Sequence, residues 1–206
     1  METIQNLIER KGPGHLFRSA HFVLALKIIK EKGPIGRYEL GNILDLGAGS
    51  IRTLVNRLKE AQLIDVEGKK GHVLAEKGIK VLKDLTKKLI SIQTIEEAEE
   101  LTNAKFNVGC LVRGVSTKIG SGISLRDSAI SIGAKSITSL IYKGNKHLEI
   151  PTLGKDYLEK QHSTLLSYLI SNHNFQIDDV LVICGADTLI KAKLGAITAV
   201  LSLISS

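Results

Sequence analysis

The sequence predicts an α+β protein in two parts, a mostly helical part with a small β-ribbon and a two-layer α/β sandwich. Three observations lead there. Apolar residues recur at helical spacing through the first 90 positions, interrupted by one short hairpin pattern. After residue 100, apolar β-rich runs alternate with helical ones in the order β-α-β-β-α-β-α. The charge divides the same way: residues 1–90 hold 17 Lys and Arg against 10 Asp and Glu, whereas residues 91–206 hold 11 of each. The whole surplus of +7 therefore sits in the first part, which points to a polyanionic partner for that part alone.

Residues 2–10 form a short helical arm, stopped by Lys11-Gly12-Pro13-Gly14. A helix capped by Ser19 runs to about Lys32, with Phe22, Leu26 and Ile29 on one face, and Gly33-Pro34 ends it. Gly36 to Leu44 is the second helix, with Tyr38, Leu40, Ile43 and Leu44 as its apolar positions. Asp45 to Gly49 is a glycine turn. Ser50 caps or opens a third helix reaching about Gln62, in which Ile51, Leu54, Val55 and Leu58 make a buried stripe. Its other face carries Ser50, Arg52, Thr53, Asn56 and Lys59. Arg pairs with guanine edges, Asn with adenine edges, and Ser or Thr with bases or phosphates. Leu63–Val66 and His72–Leu74 pair as a hairpin around Glu67-Gly68-Lys69-Lys70-Gly71. Lys69 and Lys70 at its tip supply sequence-independent affinity for a sugar-phosphate backbone, with His72 as an added contact. A fourth helix runs from Glu76 to Leu89, with Ile79, Leu82 and Leu89 facing a core or a partner helix. Helix, turn, helix, ribbon and helix in this order make a winged helix-turn-helix, whose third helix reads the DNA major groove.

The boundary falls near residue 90, giving units 1–90 and 91–206, with 91–103 as an acidic connector able to add an edge strand. Phe106–Val112 is a strand, Leu125 to about Gly133 a helix capped by Ser124, and Ser136–Tyr142 with His147–Ile150 a hairpin. Asp156 to about Ser171 is one long helix, Asp179–Cys184 a buried strand, and a last helix ends near Leu203. Two strand-to-helix junctions carry glycines and charges: Gly120, Ser121 and Gly122 before Arg126 and Asp127, and Gly185 and Asp187 before Lys191. Helix-start N–H groups and nearby cations hold anions, so one sheet edge bearing both junctions would form a pocket for a small anionic ligand.

The excluded classes are broad. No apolar run reaches the ~18 residues of a membrane span, and the N-terminus lacks a signal-peptide core, so the expectation is a cytoplasmic protein. Cys110 and Cys184 lie 74 positions apart inside apolar strands and read as buried structural thiols. No catalytic set, metal spacing, phosphate loop or dinucleotide fingerprint is complete, so neither catalytic residues nor a cofactor are expected.

GSIRTLVNRLKEAQLI followed by HVLAEKG resembles the recognition helix and the post-wing LTEKG segment of the winged helix-turn-helix superfamily of prokaryotic regulators, with Ala75 where threonine is usual. LRDSAISIGAKSITSLIYKGNKHLEIP and VLVICGADTLIKAKLGAITAV resemble archaeal winged-helix proteins whose C-terminal domain has no assigned function. That domain is similar in shape to the GAD insertion domain of tRNA-dependent amidotransferases and aspartyl-tRNA synthetases. The resemblance implies a two-layer α+β fold for the second part and no activity. The expectation is a homodimeric transcriptional regulator on double-stranded DNA, its second domain sensing a ligand or holding the dimer. Two other readings stay open: a small-metabolite enzyme fused to an autoregulatory winged helix, and an RNA-binding protein, the latter weakened by the neutral second half.

Overall fold

The structure, a computed structural model, describes residues 18–151 and 153–205. The helical arm expected over residues 2–10 and the breaker after it lie outside the described residues. The chain divides into two compact units, with the border between Thr86 and Lys87.

In the first unit, α1 (Ser19–Lys32) is the central helix. Its apolar residues are buried around most of the circumference: Ala20 and Phe22 to Leu26, then Ile28 and Ile29. A helix apolar on nearly all sides belongs inside, so the single buried face expected of it understates its position. Helices α2 (Arg37–Leu44) and α3 (Ala48–Glu60) follow. Asp45 turns the chain between them in the left-handed conformation, φ 53°, its N–H donating to the Asn42 and Gly41 carbonyls. The two helices approach closely because Gly41 leaves room for the Ile51 side chain. Helix α3 starts earlier than Ser50: Gly47 takes the extended cap position, and Ser50 is already the third helical residue. Strands β1 (Ile64–Glu67) and β2 (Gly71–Leu74) form an antiparallel ribbon with Ile64 opposite Leu74 and Glu67 opposite Gly71. Ile35 adds a single bridge to His72. Gly71 makes that bridge possible, since at φ +131° a Cβ there would sit 2.4 Å from the Ile35 carbonyl oxygen. Helix α4 (Glu76–Thr86) packs close behind through Gly78, whose missing Cβ would meet the Leu63 carbonyl oxygen at 2.1 Å. It buries Leu82 and Leu85. It ends three residues before Leu89, which joins a strand instead, and Ile79 is exposed rather than packed.

The second unit is a five-stranded sheet with helices on both faces. Its strands are β3 (Leu89–Thr94), β4 (Phe106–Val112), β5 (Ser136–Gly144), β6 (His147–Glu149) and β7 (Val180–Ala186). They lie in the order β3-β4-β7-β5-β6, every neighbouring pair antiparallel. The helices are α5 (Glu99–Thr102), α6 (Ile123–Ile130), α7 (Tyr157–Gln161), α8 (Ser163–Asn172) and α9 (Leu189–Ser205). Leu111, Leu181, Ile183 and Leu140 point to one face, under Leu158 of α7 and Leu165 and Leu169 of α8. On the other face α9 packs against β4, β7 and α6. Gly195 brings α9 so close that a Cβ there would meet the Cys184 sulfur at 2.6 Å.

This corrects the expected two layers to three. The reason is in the strands themselves: β7 is buried at every position and β4 at all but its first. Strands with no solvated face need cover on both sides. The expected helix over 156–171 is two helices, because His162 leaves helical geometry at φ −139°, ψ 47°. Strand β7 also runs on to Ala186, so Gly185 lies inside the strand and not in a loop.

Candidate nucleic-acid interface

Helix α3 presents two faces of opposite chemistry. Ile51, Leu54, Val55 and Leu58 are buried, as is Arg57. Arg52, Asn56 and Lys59 are exposed, one helical turn apart, while Ser50 and Thr53 are half-buried beside them. The Thr53 hydroxyl donates to the Gly49 carbonyl at 3.0 Å, which leaves its lone pairs free. Among the described residues no side chain caps the start of α3, which leaves its first N–H groups for an anion. Nothing lies within 4 Å of where a Cβ would stand on Gly47 or Gly49. The space around both glycines at the helix start is therefore open.

The ribbon supplies a second basic element. Gly68 turns the tip at φ +54°, and Lys69 and Lys70 stand exposed on it. Lys70 pairs with Glu67 at 2.9 Å, both in solvent; such an exposed pair contributes little. Among the described residues Lys69 has no ion-pair partner. His72 is half-buried on β2, its Nδ1 without a partner. Burial holds its pKa below the ordinary histidine value, and the nearby charges of Lys59 and Arg37 push the same way. Lys59 of α3 and Arg37 of α2 are thus near enough for their charges to act on His72 of β2.

Arg37 and Tyr38 are the residues that sequence reasoning missed. Tyr38 reads as an apolar core position of α2, yet it is 69% exposed. The Arg37 guanidinium lies over its ring at 4.9 Å and donates to its hydroxyl at 3.2 Å. An exposed tyrosine stacked under an arginine offers both a cation and a phenol to a phosphate chain. The available signal was the Arg-Tyr pair at a helix start.

The second unit does not bring its two junctions together. Phe106 pairs with Ala186 and Val112 with Val180, so the chains leaving β4 and β7 depart from opposite ends of the sheet. Gly120, Ser121, Gly122 and Arg126 line a cavity of about 280 Å3. Gly185, Asp187 and Lys191 do not line it: Gly185 is enclosed by Ser136, Ala104 and Thr102, and Asp187 pairs with Lys135 at 2.5 Å. The stem of Lys191 passes Gly133. Asp127 is exposed on α6 outside the lining. Both cysteines are buried, and burial pushes the Cys184 thiol up to about 12, which suits packing and not nucleophilic chemistry. Among the described residues no group of three or more His, Cys, Asp or Glu is placed to hold a metal, and no helix is long and apolar enough to cross a membrane.

Residues 23–80 match the family model described as the PH0730-like N-terminal domain. Residues 103–203 match a domain of unknown function, DUF4443. Among solved structures the chain is similar to the hypothetical protein PH0730 from Pyrococcus horikoshii OT3, at 25% identity and a TM-score of 0.68, covering 90% of this chain and 92% of that one. No curated protein matches the chain.

Proposed function

We propose that this chain, built like the two-domain archaeal protein it resembles, is a sequence-specific DNA-binding protein acting as a transcriptional regulator. On this reading the first unit is a winged helix-turn-helix, α3 is the recognition helix, and the β1–β2 ribbon is the wing. The observation that carries it is the exposed stripe of Arg52, Asn56 and Lys59 on α3, set beside an uncapped helix start and a lysine-tipped ribbon. The confinement of the net positive charge to residues 1–90 supports it. Arg52 and Asn56 read base edges; Lys69, Lys70 and Arg37 hold phosphates. The second unit serves as sensor or dimerisation domain, and a homodimer would set two α3 helices on half-sites about one DNA turn apart.

The test is a titration of labelled duplexes with the full chain at two salt concentrations. The expected result is a steep fall in affinity with salt and a preferred sequence selected from a random pool. Salt-independent binding, or none at low salt, would falsify the reading.

A further inference from the structure

We propose that the second unit binds a small amphipathic carboxylate in the cavity between the start of α6 and the outer edge of β5. The cavity holds about 280 Å3. That is just under the ~300 Å3 at which ordinary ligand pockets begin and fits a body of roughly a dozen non-hydrogen atoms.

Its walls are apolar, with Ile119, Ile137 and Ile150 lining it. Ile123 and Leu153 stand at its rim, 62% and 49% exposed. Among the described residues no acidic side chain lines it, and Arg126 is the sole charged lining group, exposed and without a partner. At the same end α6 begins without a side-chain cap. The Arg126 N–H, donating to the Gly122 carbonyl at 3.0 Å, is the first to close a helical turn, so the N–H groups of Ile123, Ser124 and Leu125 are left over. A third observation is independent of the helix. Strand β6 pairs only with Ile141, Tyr142 and Gly144 of β5. Among the described residues the outer edge of β5 from Ile137 to Leu140 therefore carries no strand, and Ile137, Thr138 and Ser139 of that stretch line the cavity.

An apolar trough with one free cation at its end and no acid calls for an apolar body bearing one negative charge. A single arginine balances a carboxylate; a phosphate dianion would ask for a second cation. The carboxylate meets the Arg126 guanidinium and the α6 N–H groups, and the body lies along β5 between Ile119 and Ile150. Binding itself is independent of the DNA-binding reading; only its use as a regulatory signal rests on that reading.

The experiment is calorimetric titration of the full chain, without DNA, using octanoate, octanol and octylamine. The expected result is one saturable site for octanoate and much weaker binding of the alcohol and the amine. Arg126→Gln should weaken octanoate by about tenfold, the loss of one charge-assisted hydrogen bond, and leave octanol unchanged. Ser139→Leu, filling the trough, should abolish binding; Arg126→Gln, an exposed change, keeps the test open if that variant does not fold. Four results would overturn the proposal: octanol binding as tightly as octanoate, Arg126→Gln binding octanoate like the parent, no acid from hexanoate to decanoate binding at all, or a leucine-ended peptide binding at least about tenfold tighter than octanoate.

Discussion

Arg52 and Asn56 share the exposed stripe of α3, whereas Lys69 and Lys70 stand at a hairpin tip, and the two pairs should fail differently. Arg52→Ala should cost about 1–3 kcal/mol on the preferred site and relax the preference at one base position. Lys69→Ala and Lys70→Ala should weaken every sequence alike, each lowering the salt slope by about one; competition between specific and random duplex separates the two patterns. His21 carries a stability prediction. It is 4% exposed, and its Nδ1 accepts the Arg18 N–H at 3.0 Å. Burial lowers its pKa from 6.5 to about 4. The unfolded chain takes up the proton first, so stability is full above 6.5 and is lost as pH falls from there toward 4, by up to roughly 3 kcal/mol. Urea melts at pH 7 and 4.5 should show that loss, and His21→Gln should flatten it. Asp179 is wholly buried, held by Arg113 at 2.5 Å and by the Gln176 and Gly114 N–H groups. Asp179→Ala strands those donors and should cost about 3 kcal/mol, read as a lower urea midpoint.

At the scale of elements, the ribbon meets the chain before α2 through a close backbone contact at Gly71. Gly71→Ala would drive a Cβ into the Ile35 carbonyl, costing about 2–3 kcal/mol, and a displaced tip should weaken the proposed DNA binding. The helices of the first unit were legible in the sequence because an amphipathic period is local information. Ile51, Leu54, Val55 and Leu58 announce a buried stripe wherever they stand. Their ends were less legible: Gly47 caps α3 without any side-chain signal, and Leu89 leaves the helical pattern because β4 offers it a partner at Val112. The break at His162 was hidden for a related reason, since Leu158, Leu165 and Leu169 all stay buried across it. Of the suggested pocket, the Gly120–Gly122 half lines a cavity and the Gly185 half does not. That difference comes from the direction in which β4 and β7 pair, a non-local fact that no spacing encodes.

For the whole molecule, charge and burial divide along one line. The first unit, residues 1–86, holds 15 Lys and Arg against 10 Asp and Glu and carries the exposed basic faces; the second, residues 87–206, holds 13 against 11 and is built on a sheet in which β7 and all of β4 but Phe106 are buried. Association with a polyanion should therefore be steered by the first unit, and the on-rate should fall steeply with added salt. The strand order holds a consequence for synthesis. Strand β7, near the end of the chain, lies between β4 and β5 and joins two otherwise separate hairpins. On the ribosome the first unit can close while the rest is still being made. The second must wait, with two unjoined apolar hairpin edges exposed, for residues 180–186 to emerge. A chain stalled before Val180 would hold a finished basic head on a sticky, unfinished sheet, the species a chaperone would be expected to meet.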